Sequence, residues 1–232
     1  LDYTQFSQSL NNGLVGWWRF NENNGSIAYD ESPYDRHGSI TNNPTRTDGK
    51  FGNGLLLNGS DQYVSIDNYK GILDNNPRTI NCWIKPDRIG FQPIVVWGHP
   101  SSRKNWAFQM HYNGELQIGS FGGSGQRSSL RMSLSHWYNV CVTFSGTTGD
   151  LLLYIDSNLD CTLSGGSNID TKVHFDLRIG RHNSGNGDPQ YFKGTIDEVR
   201  IYDRELTASE VAAIYYMEES SIFFDITDLN ST

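Results

Sequence analysis

The sequence predicts an all-β protein, a two-sheet antiparallel jelly-roll β-sandwich with one short C-terminal helix. About a dozen short segments alternate apolar and polar residues, which is the periodicity of β-strands. Turns rich in Gly, Asn, Asp and Ser separate these segments, and the chain has 24 glycines in 232 residues. Apolar residues at helical spacing are nearly absent. So many strands in one chain bury their apolar faces by packing as two sheets, one on the other.

The predicted strands follow one another at short intervals. The clearest pair is a hairpin whose strands flank Asn113-Gly114, a dipeptide that favours a type I′ turn with two positive φ angles. A second Asn-Gly pair, Asn58-Gly59, joins two further strands. We predict strands at residues 14–20, 51–57, 63–66, 79–85, 93–98, 106–112, 115–120, 137–144, 151–155, 159–163 and 175–179, one that follows the loop 121–126 and ends near Leu134, and a last one after Tyr191.

The length and the net charge of the chain limit the classes of protein to which it can belong. A chain of 232 residues is ordinary for one β-sandwich. A net charge of -8 argues against a nucleic-acid partner, and no apolar run is long enough for a membrane span. The chain begins at Leu1 without a signal peptide, so we expect a processed protein or an excised segment. We expect a lead-in segment over residues 1–13, one domain over 14–217, and a tail or extra strand over 218–232.

Residues 194–211 are the most informative stretch. They begin with a strand of period 2, in which Asp197 takes a position on the apolar face. A buried carboxylate needs hydrogen-bond donors or a metal ion. The following Thr207-Ala-Ser-Glu210 has the spacing of a capping box, in which each end residue bonds the amide of the other. Val211 and Ile214 then begin a short helix with a narrow apolar face.

This stretch resembles the signature of LamG-like jelly rolls in the concanavalin A-like lectin/glucanase superfamily, which includes the pentraxins. Residues 194–211 match the family pattern G-x-I-D-x-V-R-I-Y-[DN]-x-x-L-[ST]-x-x-E-[IV] throughout. The blocks at residues 18–38 and 51–66 resemble two earlier family patterns. The resemblance therefore implies the same fold as the strand pattern.

The cysteines allow two interpretations. Cys82 and Cys141 fall where pentraxins place their single disulfide, so the resemblance implies a bridge between them. Cys161 would then be left over, free or paired with a partner chain. The alternative is that all three are buried thiols, which are common in β-sheet cores.

The resemblance also implies a cofactor, one structural Ca²⁺. The loop after residues 177–180 lacks the carboxylates that pentraxins use for a calcium pair. Many relatives instead bind a single structural calcium ion through oxygen ligands. The positions that match those ligands are Glu22, the loop of Gly59 to Asp61, and Asp197. The alternative is that backbone amides, Arg19 or Arg200 hold Asp197.

Three functions compete, and the first is glycan binding or adhesion. Sugar rings stack on aromatic faces, and their hydroxyls bind planar polar groups, so residues in and beside the loops are the candidates. An aromatic residue in a sandwich strand is nonetheless more often part of the core. The candidate ligand-binding residues are Trp97, His99, Arg103, Trp106, Tyr112, Gln126, Arg127, His182, Asn183 and Tyr191.

The second function is enzymatic, and the third is structural. Glycosidases of this superfamily carry paired carboxylates on one strand, as in E-x-D-x-x-E, and this chain has no such cluster. It also lacks a Gly-x-Ser-x-Gly elbow and zinc-ligand spacing, so we expect no enzyme activity. The apolar tail and odd cysteine favour the third, an assembly module of a surface appendage or virion.

The prediction is therefore a non-catalytic extracellular binding module, secreted or exposed on a cell or virion. Its expected partner is a glycan first and a surface protein second, within a possible oligomer or larger parent assembly.

Overall fold

The computed structural model describes residues 9–101, 104–119, 126–163, 169–182 and 189–217. The predicted tail strand at 218–232 lies outside these ranges. The strands are β1 (Leu14–Trp18), β2 (Ile27–Ala28), β3 (Gly38–Thr41), β4 (Thr45–Asp48), β5 (Asn53–Asn58), β6 (Tyr63–Ile66), β7 (Arg78–Pro86), β8 (Gln92–Gly98), β9 (Asn105–Met110), β10 (Glu115–Gly119), β11 (Gln126–Arg131), β12 (Tyr138–Phe144), β13 (Leu151–Ile155), β14 (Asn158–Leu163), β15 (Phe175–Ile179), β16 (Arg181–His182), β17 (Gln190–Tyr191) and β18 (Lys193–Tyr202).

Two antiparallel sheets pack face to face, which confirms the predicted sandwich. Sheet A has the order β14-β13-β12-β7-β18-β5-β4, with β1 also paired to β18. Sheet B has the order β11-β10-β9-β8-β15-β6-β3-β2. The short β16–β17 pair forms a separate hairpin in contact with β8. We call the side of each sheet that meets the other sheet its inner face, and the opposite side its outer face.

The C-terminal helix covers part of the outer face of sheet A. It spans residues 208–217, and Thr207 and Glu210 cap it as predicted. The Thr207 amide donates to Glu210 Oε2 at 2.9 Å, and the Glu210 amide donates to Thr207 Oγ1 at 3.3 Å. Val211 and Ile214 pack in an apolar cluster with Tyr202 of β18. None of the helices in the described ranges is long and apolar enough to cross a bilayer.

A bulge in β18 changes which residues face the core. Glu198 has a φ of 50°, and the pairing of β18 with β7 shifts between Asp197 and Arg200. Ile196 and Val199 are three residues apart, yet both belong to the core between the sheets. The expectation that Asp197 replaces a core hydrophobe is therefore wrong, because the extra residue turns its side chain to the outer face.

Arg78 is an arginine inside the sandwich core. Its side chain is fully buried, and its guanidinium carbon lies 5.0 Å from the ring centre of Trp106. It donates to the carbonyl oxygens of Ile72 at 2.6 Å and Asp74 at 2.8 Å, and to Thr171 Oγ1 at 3.0 Å. Burial lowers the pKa of Arg78 to about 9. These bonds tie a surface loop to the core.

One turn prediction fails in detail. The Asn113-Gly114 hairpin forms, but only Gly114 has a positive φ, so the turn is not type I′. The loop there is four residues long, since the His111 amide donates to the Glu115 carbonyl. Asn58-Gly59 joins two strands as predicted, and the chain passes there from β5 of sheet A to β6 of sheet B.

The predicted disulfide between Cys82 and Cys141 is wrong. In the β7–β12 register Cys82 lies opposite Val140, and Cys141 lies opposite Asn81. Neighbouring residues on a strand point to opposite faces, so the two sulfurs lie on opposite sides of sheet A. Cys82 packs in the core between the sheets, whereas Cys141 packs in the cluster under the helix. No bridge joins them.

Candidate functional site

The two tryptophans predicted to bind a ligand belong to the core. Trp97 and Trp106 lie opposite each other on β8 and β9 and are fully buried. Their rings stack with centroids 5.8 Å apart, and Trp97 Nε1 donates to the Ile72 carbonyl. The prediction that Trp97 and Trp106 bind a ligand is therefore wrong. The residues that alternate with them face outward from sheet B instead.

The outer face of sheet B carries a row of amide side chains. Gln109 of β9 lies directly opposite Gln117 of β10, and Asn105 lies at the start of β9. Their exposed fractions are 3%, 8% and 1%, respectively. Between them lies a small apolar cluster that includes Val96 and Ala107. We call Asn105, Gln109, Gln117 and the neighbouring Arg178 the polar face.

The amide oxygens of this row have no hydrogen-bond donors. Asn105 Oδ1, Gln109 Oε1 and Gln117 Oε1 are buried and unpaired within the described ranges. A buried polar atom without a partner costs roughly 1–3 kcal/mol, so native proteins contain few of them. Three such oxygens lie on one face of one sheet.

The β16–β17 hairpin places His182 over the polar face. Asn105 Nδ2 donates to His182 Nε2 at 3.4 Å, and the His182 ring lies 6.2 Å from the ring of Phe91. The residue is 1% exposed. Burial, followed by the charge of Arg178, lowers the pKa of His182 to about 4. His182 is therefore neutral at physiological pH.

Two arginines flank His182. Arg178 belongs to β15, where it pairs with Val96 in the β8 register. Arg181 opens the β16–β17 hairpin. Their guanidinium carbons lie 6.0 Å and 4.6 Å from the ring centre of Tyr63. Both guanidinium groups therefore lie near the same aromatic ring.

An aromatic groove continues from the polar face. It has a volume of about 310 Å³, and its lining includes Phe91, Tyr112 and Tyr191. Tyr112 is 66% exposed, and its ring lies 5.6 Å from that of Phe91. Arg88 fixes one wall by donating to the Tyr191 carbonyl at 2.7 Å. The groove therefore offers partly exposed rings next to the buried amides.

Five other predicted ligand residues lie away from this cluster or beyond what is described. His99 lies at the far end of β8, where its Nδ1 bonds Ser101 Oγ at 2.9 Å. Arg127 is exposed, and its guanidinium lies 3.9 Å from the Glu115 carboxylate. Gln126 begins β11, and its side chain is outside the described parts. Arg103 and Asn183 are outside the described ranges altogether.

The residues predicted to bind calcium do not form one site. Asp197 Oδ2 accepts from the amides of Lys50 at 2.8 Å and Phe51 at 3.0 Å, while Oδ1 accepts from the Glu198 amide at 2.8 Å. Burial raises the pKa of Asp197 to about 8, against the opposing effect of these amides. The alternative of backbone amides is therefore the one seen. Arg19 and Arg200 bond Glu198 instead.

The other predicted ligands lie elsewhere. Glu22 accepts from the Tyr29 amide and lies 3.1 Å from Arg46. Gly59 and Asp61 follow the last residue of β5, whereas the loop that contacts Asp197 precedes its first residue. The rise of the strand separates these two ends by about 17 Å. Across the described ranges, no three His, Cys, Asp or Glu side chains come together as a metal site. The four residues named from the resemblance do not fit a shared ion.

A family model described as the concanavalin A-like lectin/glucanases superfamily matches residues 58–212, more than half of the chain. The chain belongs to this superfamily. Among curated protein sequences, none matches this superfamily member.

Several solved structures share the fold of this concanavalin A-like chain. One is domain 4 of AbnA, an extracellular GH43 arabinanase from Geobacillus stearothermophilus, in complex with arabinotriose. It is 20% identical, with a TM-score of 0.69, and the match covers 87% of this chain and 98% of that one. The binding domain of Paraclostridial Mosquitocidal Protein 1 is 17% identical with a TM-score of 0.69, covering 89% of this chain and 52% of that one.

Trypanosoma rangeli sialidase is 18% identical, with a TM-score of 0.63. This match covers 88% of the present chain but 32% of the sialidase, so the chain spans about a third of that protein. At these identities, the likeness shows the shared concanavalin A-like fold alone.

The sequence prediction missed the residues that define the site of this concanavalin A-like domain. Gln109, Gln117 and Arg178 look like ordinary outward positions of amphipathic strands. The signal that identifies them is the alternation with buried apolar residues: Gln109 follows Phe108, Gln117 follows Leu116, and Arg178 follows Leu177. That Gln109 and Gln117 face each other follows only from the hairpin register.

Proposed function

We propose that this domain is a non-catalytic module that binds carbohydrate on the polar face and in the adjoining aromatic groove. The observation that carries the proposal is the row of buried, unpaired amide oxygens of Asn105, Gln109 and Gln117. Sugar hydroxyls donate hydrogen bonds to such oxygens, so a bound sugar offsets the cost of leaving them unpaired.

The opposite sheet shows how this domain pairs amides that serve the fold. Asn81 and Asn139 are buried on the outer face of sheet A. Asn81 Nδ2 donates to Asn139 Oδ1 at 2.9 Å, and Asn139 Nδ2 donates back to Asn81 Oδ1 at 3.3 Å. Gln109 and Gln117 also face each other, yet both of their oxygens remain unpaired. The difference supports a binding role for the pair on sheet B.

The aromatic groove supports the same ligand class. Sugar rings have apolar C–H faces that pack on aromatic rings, and small-molecule sites commonly combine such surfaces with a few polar groups. Tyr112 and Phe91 present such rings beside the amide row. Of the residues predicted from the sequence to bind the ligand, Tyr112, Tyr191 and His182 remain in the proposed site, and Tyr112 is the most important of them.

The chemistry of the face supports binding rather than catalysis. Amide and guanidinium groups orient a ligand, but they do not exchange protons near neutral pH. The arabinotriose in the AbnA domain 4 structure supports a glycan as the ligand class here. We further propose that the module acts outside the cell, secreted or surface-exposed, as one part of a larger protein. Adhesion through a surface glycan is the role we infer.

A glycan array tests this proposal. We expect the purified chain to bind oligosaccharides, and the double variant Gln109→Leu/Gln117→Leu to lose that binding while remaining folded. The matched control is Asn139→Leu, which removes a paired amide on the other sheet and should leave binding intact in the folded fraction. An array silent with the wild-type chain, with and without Ca²⁺, would overturn the proposal in favour of an assembly module.

A further inference from the structure

Arg178 and Arg181 lack acceptors for several of their N–H groups. Arg178 Nε and Nη1 and Arg181 Nε are buried and have no hydrogen-bond partner in the described part of the chain. Both guanidinium carbons lie within 6.0 Å of the ring centre of Tyr63, and the charge of Arg181 acts on Arg178. A buried cationic donor without an acceptor is costly, and two neighbouring ones repel each other.

The fully buried Arg78 bonds backbone carbonyls and Thr171, whereas three half-buried arginines of this chain are paired with acids. Their partners lie within hydrogen-bonding distance, and the chain as a whole is acidic with a net charge of -8. An acidic chain therefore has counter-ions available for its structural arginines. The paired examples are Arg19 with Glu198 at 2.9 Å, Arg46 with Glu22 at 3.1 Å and Arg204 with Glu210 at 2.8 Å.

Among the described residues, no such acid lies within ion-pair distance of Arg178 or Arg181. Asp176, two residues before Arg178, lies 2.7 Å from Lys70 Nζ instead. Within the described ranges, neither Arg178 nor Arg181 lies in an ion pair with a carboxylate. Burial, followed by the charge of Arg181, lowers the pKa of Arg178 below its ordinary value. The local environment therefore disfavours the positive charge that the side chain carries.

We propose that Arg178 and Arg181 bind an anionic group of the ligand, so that the module recognises an acidic oligosaccharide. This inference rests on the proposed glycan-binding function and names its ligand class. A guanidinium group binds a carboxylate or sulfate through two parallel, charge-assisted hydrogen bonds. The shared chemistry is an oxyanion on a sugar, which a uronic acid or a sulfate ester supplies.

The spacing on sheet B leaves room for contacts to more than one sugar residue. Arg178 lies beside Val96, which lies beside Ala107, and Gln109 is two residues further along β9. Two strand spacings and two residues separate Arg178 from Gln109, or about 12 Å between backbones. An acidic oligosaccharide can therefore place its anion at Arg178 and the hydroxyls of a neighbouring sugar at Gln109.

Isothermal titration with three probes tests the inference: neutral arabinotriose, trigalacturonate as the carboxylate, and a sulfated chondroitin tetrasaccharide. We expect the wild-type chain to bind at least one acidic probe ~10-fold more tightly than arabinotriose, as one charge-assisted contact implies. The acidic probe that binds more tightly shows whether the recognised oxyanion is a carboxylate or a sulfate. Raising the salt concentration should weaken the acidic probe more than the neutral one.

The variants Arg178→Gln and Arg181→Gln should each reduce the preference for the acidic probe by ~10-fold. The matched control is Arg131→Gln, which removes the same charge from an arginine whose side chain is 68% exposed on β11. This control should change the preference by less than twofold. Circular dichroism and melting temperatures establish that each variant is folded.

The outcomes separate the two proposals. Equal or weaker binding of both acidic probes relative to arabinotriose would overturn the acidic-ligand inference and leave the glycan-binding function standing. An unchanged preference in Arg178→Gln and Arg181→Gln would do the same. Absence of binding to every probe and to a glycan array would overturn the proposed function and the inference together.

Discussion

Trp106 stacks on Trp97 inside the sandwich, with an interplanar angle of 22°, and this contact fixes which residues of β9 face outward. Because side chains alternate along a strand, Trp106 in the core puts Asn105 and Ala107 on the outer face. The ligand-binding role that the sequence suggested for Trp106 therefore passes to its outward-facing neighbours on β9.

Replacing Trp106 should damage stability, whereas replacing Tyr112 should damage binding. Trp106→Ala removes a fully buried indole and should lower the free energy of unfolding by about 3–5 kcal/mol. Tyr112→Ala removes a ring that is 66% exposed, so stability should change by less than about 0.5 kcal/mol. Urea titration and glycan binding measure the two effects. A stable Trp106→Ala variant that loses binding would contradict this assignment.

The unpaired glutamines should be replaceable at no cost in stability. Gln109→Leu/Gln117→Leu removes two buried oxygens without donors, so the free energy of unfolding should stay the same or rise by about 1 kcal/mol. Asn139→Leu removes both hydrogen bonds between the Asn81 and Asn139 amides and should lower the free energy of unfolding by about 1–3 kcal/mol. Equal destabilisation by both substitutions, seen in urea titration, would show that the glutamines serve the fold.

Removal of divalent metal should leave the melting temperature unchanged. Three backbone amides already bond the Asp197 carboxylate, and the residues predicted to share an ion with it lie apart. Melting scans with EDTA and with added CaCl₂ should therefore coincide. A fall of several degrees in EDTA, reversed by calcium, would restore the calcium hypothesis that the family resemblance raised.

His182 should make the domain less stable in mild acid. Its pKa falls to about 4 in the folded chain, below the ordinary value of 6.5. The unfolded chain therefore binds a proton first, and stability is complete above about pH 6.5 and declines as the pH falls towards 4. The shift corresponds to a loss of about 3 kcal/mol at most. His182→Gln should abolish this part of the pH dependence.

The comparison between His182→Gln and the wild type must be made across the whole pH range, because carboxylates titrate there too. The difference between the two unfolding curves isolates the histidine. A constant difference from pH 4 to 7 would mean that His182 does not carry the acid sensitivity.

Much of the fold could be predicted because its signals are local. Alternating apolar residues identified the long strands, and Thr207 with Glu210 identified the start of the helix. The bulge at Glu198 could not be predicted, because period-2 alternation assumes an unbroken strand. One inserted residue moved Asp197 to the outer face, where backbone amides hold it.

The candidate site was harder to predict because it depends on pairing between strands. Trp97 and Trp106 were chosen as ligand residues for their chemistry, although strands at the centre of a sandwich bury aromatic rings by preference. Tyr112, Tyr191 and His182, also named from the sequence as ligand residues, lie beside the groove and the polar face, and their role in binding stays a prediction. Arg178 was missed because its lack of a counter-ion becomes visible only when the surrounding strands are placed.

Arg78 has a consequence for how this domain opens. Its guanidinium bonds link Ile72 and Asp74 on one surface loop to Thr171 on another, and Asp74 and Thr171 also exchange backbone hydrogen bonds. Neither loop can detach without leaving the Arg78 guanidinium inside the core with fewer hydrogen-bond acceptors. The loops and the core should therefore open in a single cooperative event. Amide protons at Asp74 and Thr171 should exchange with solvent as slowly as those of the central strands, although they belong to connecting segments.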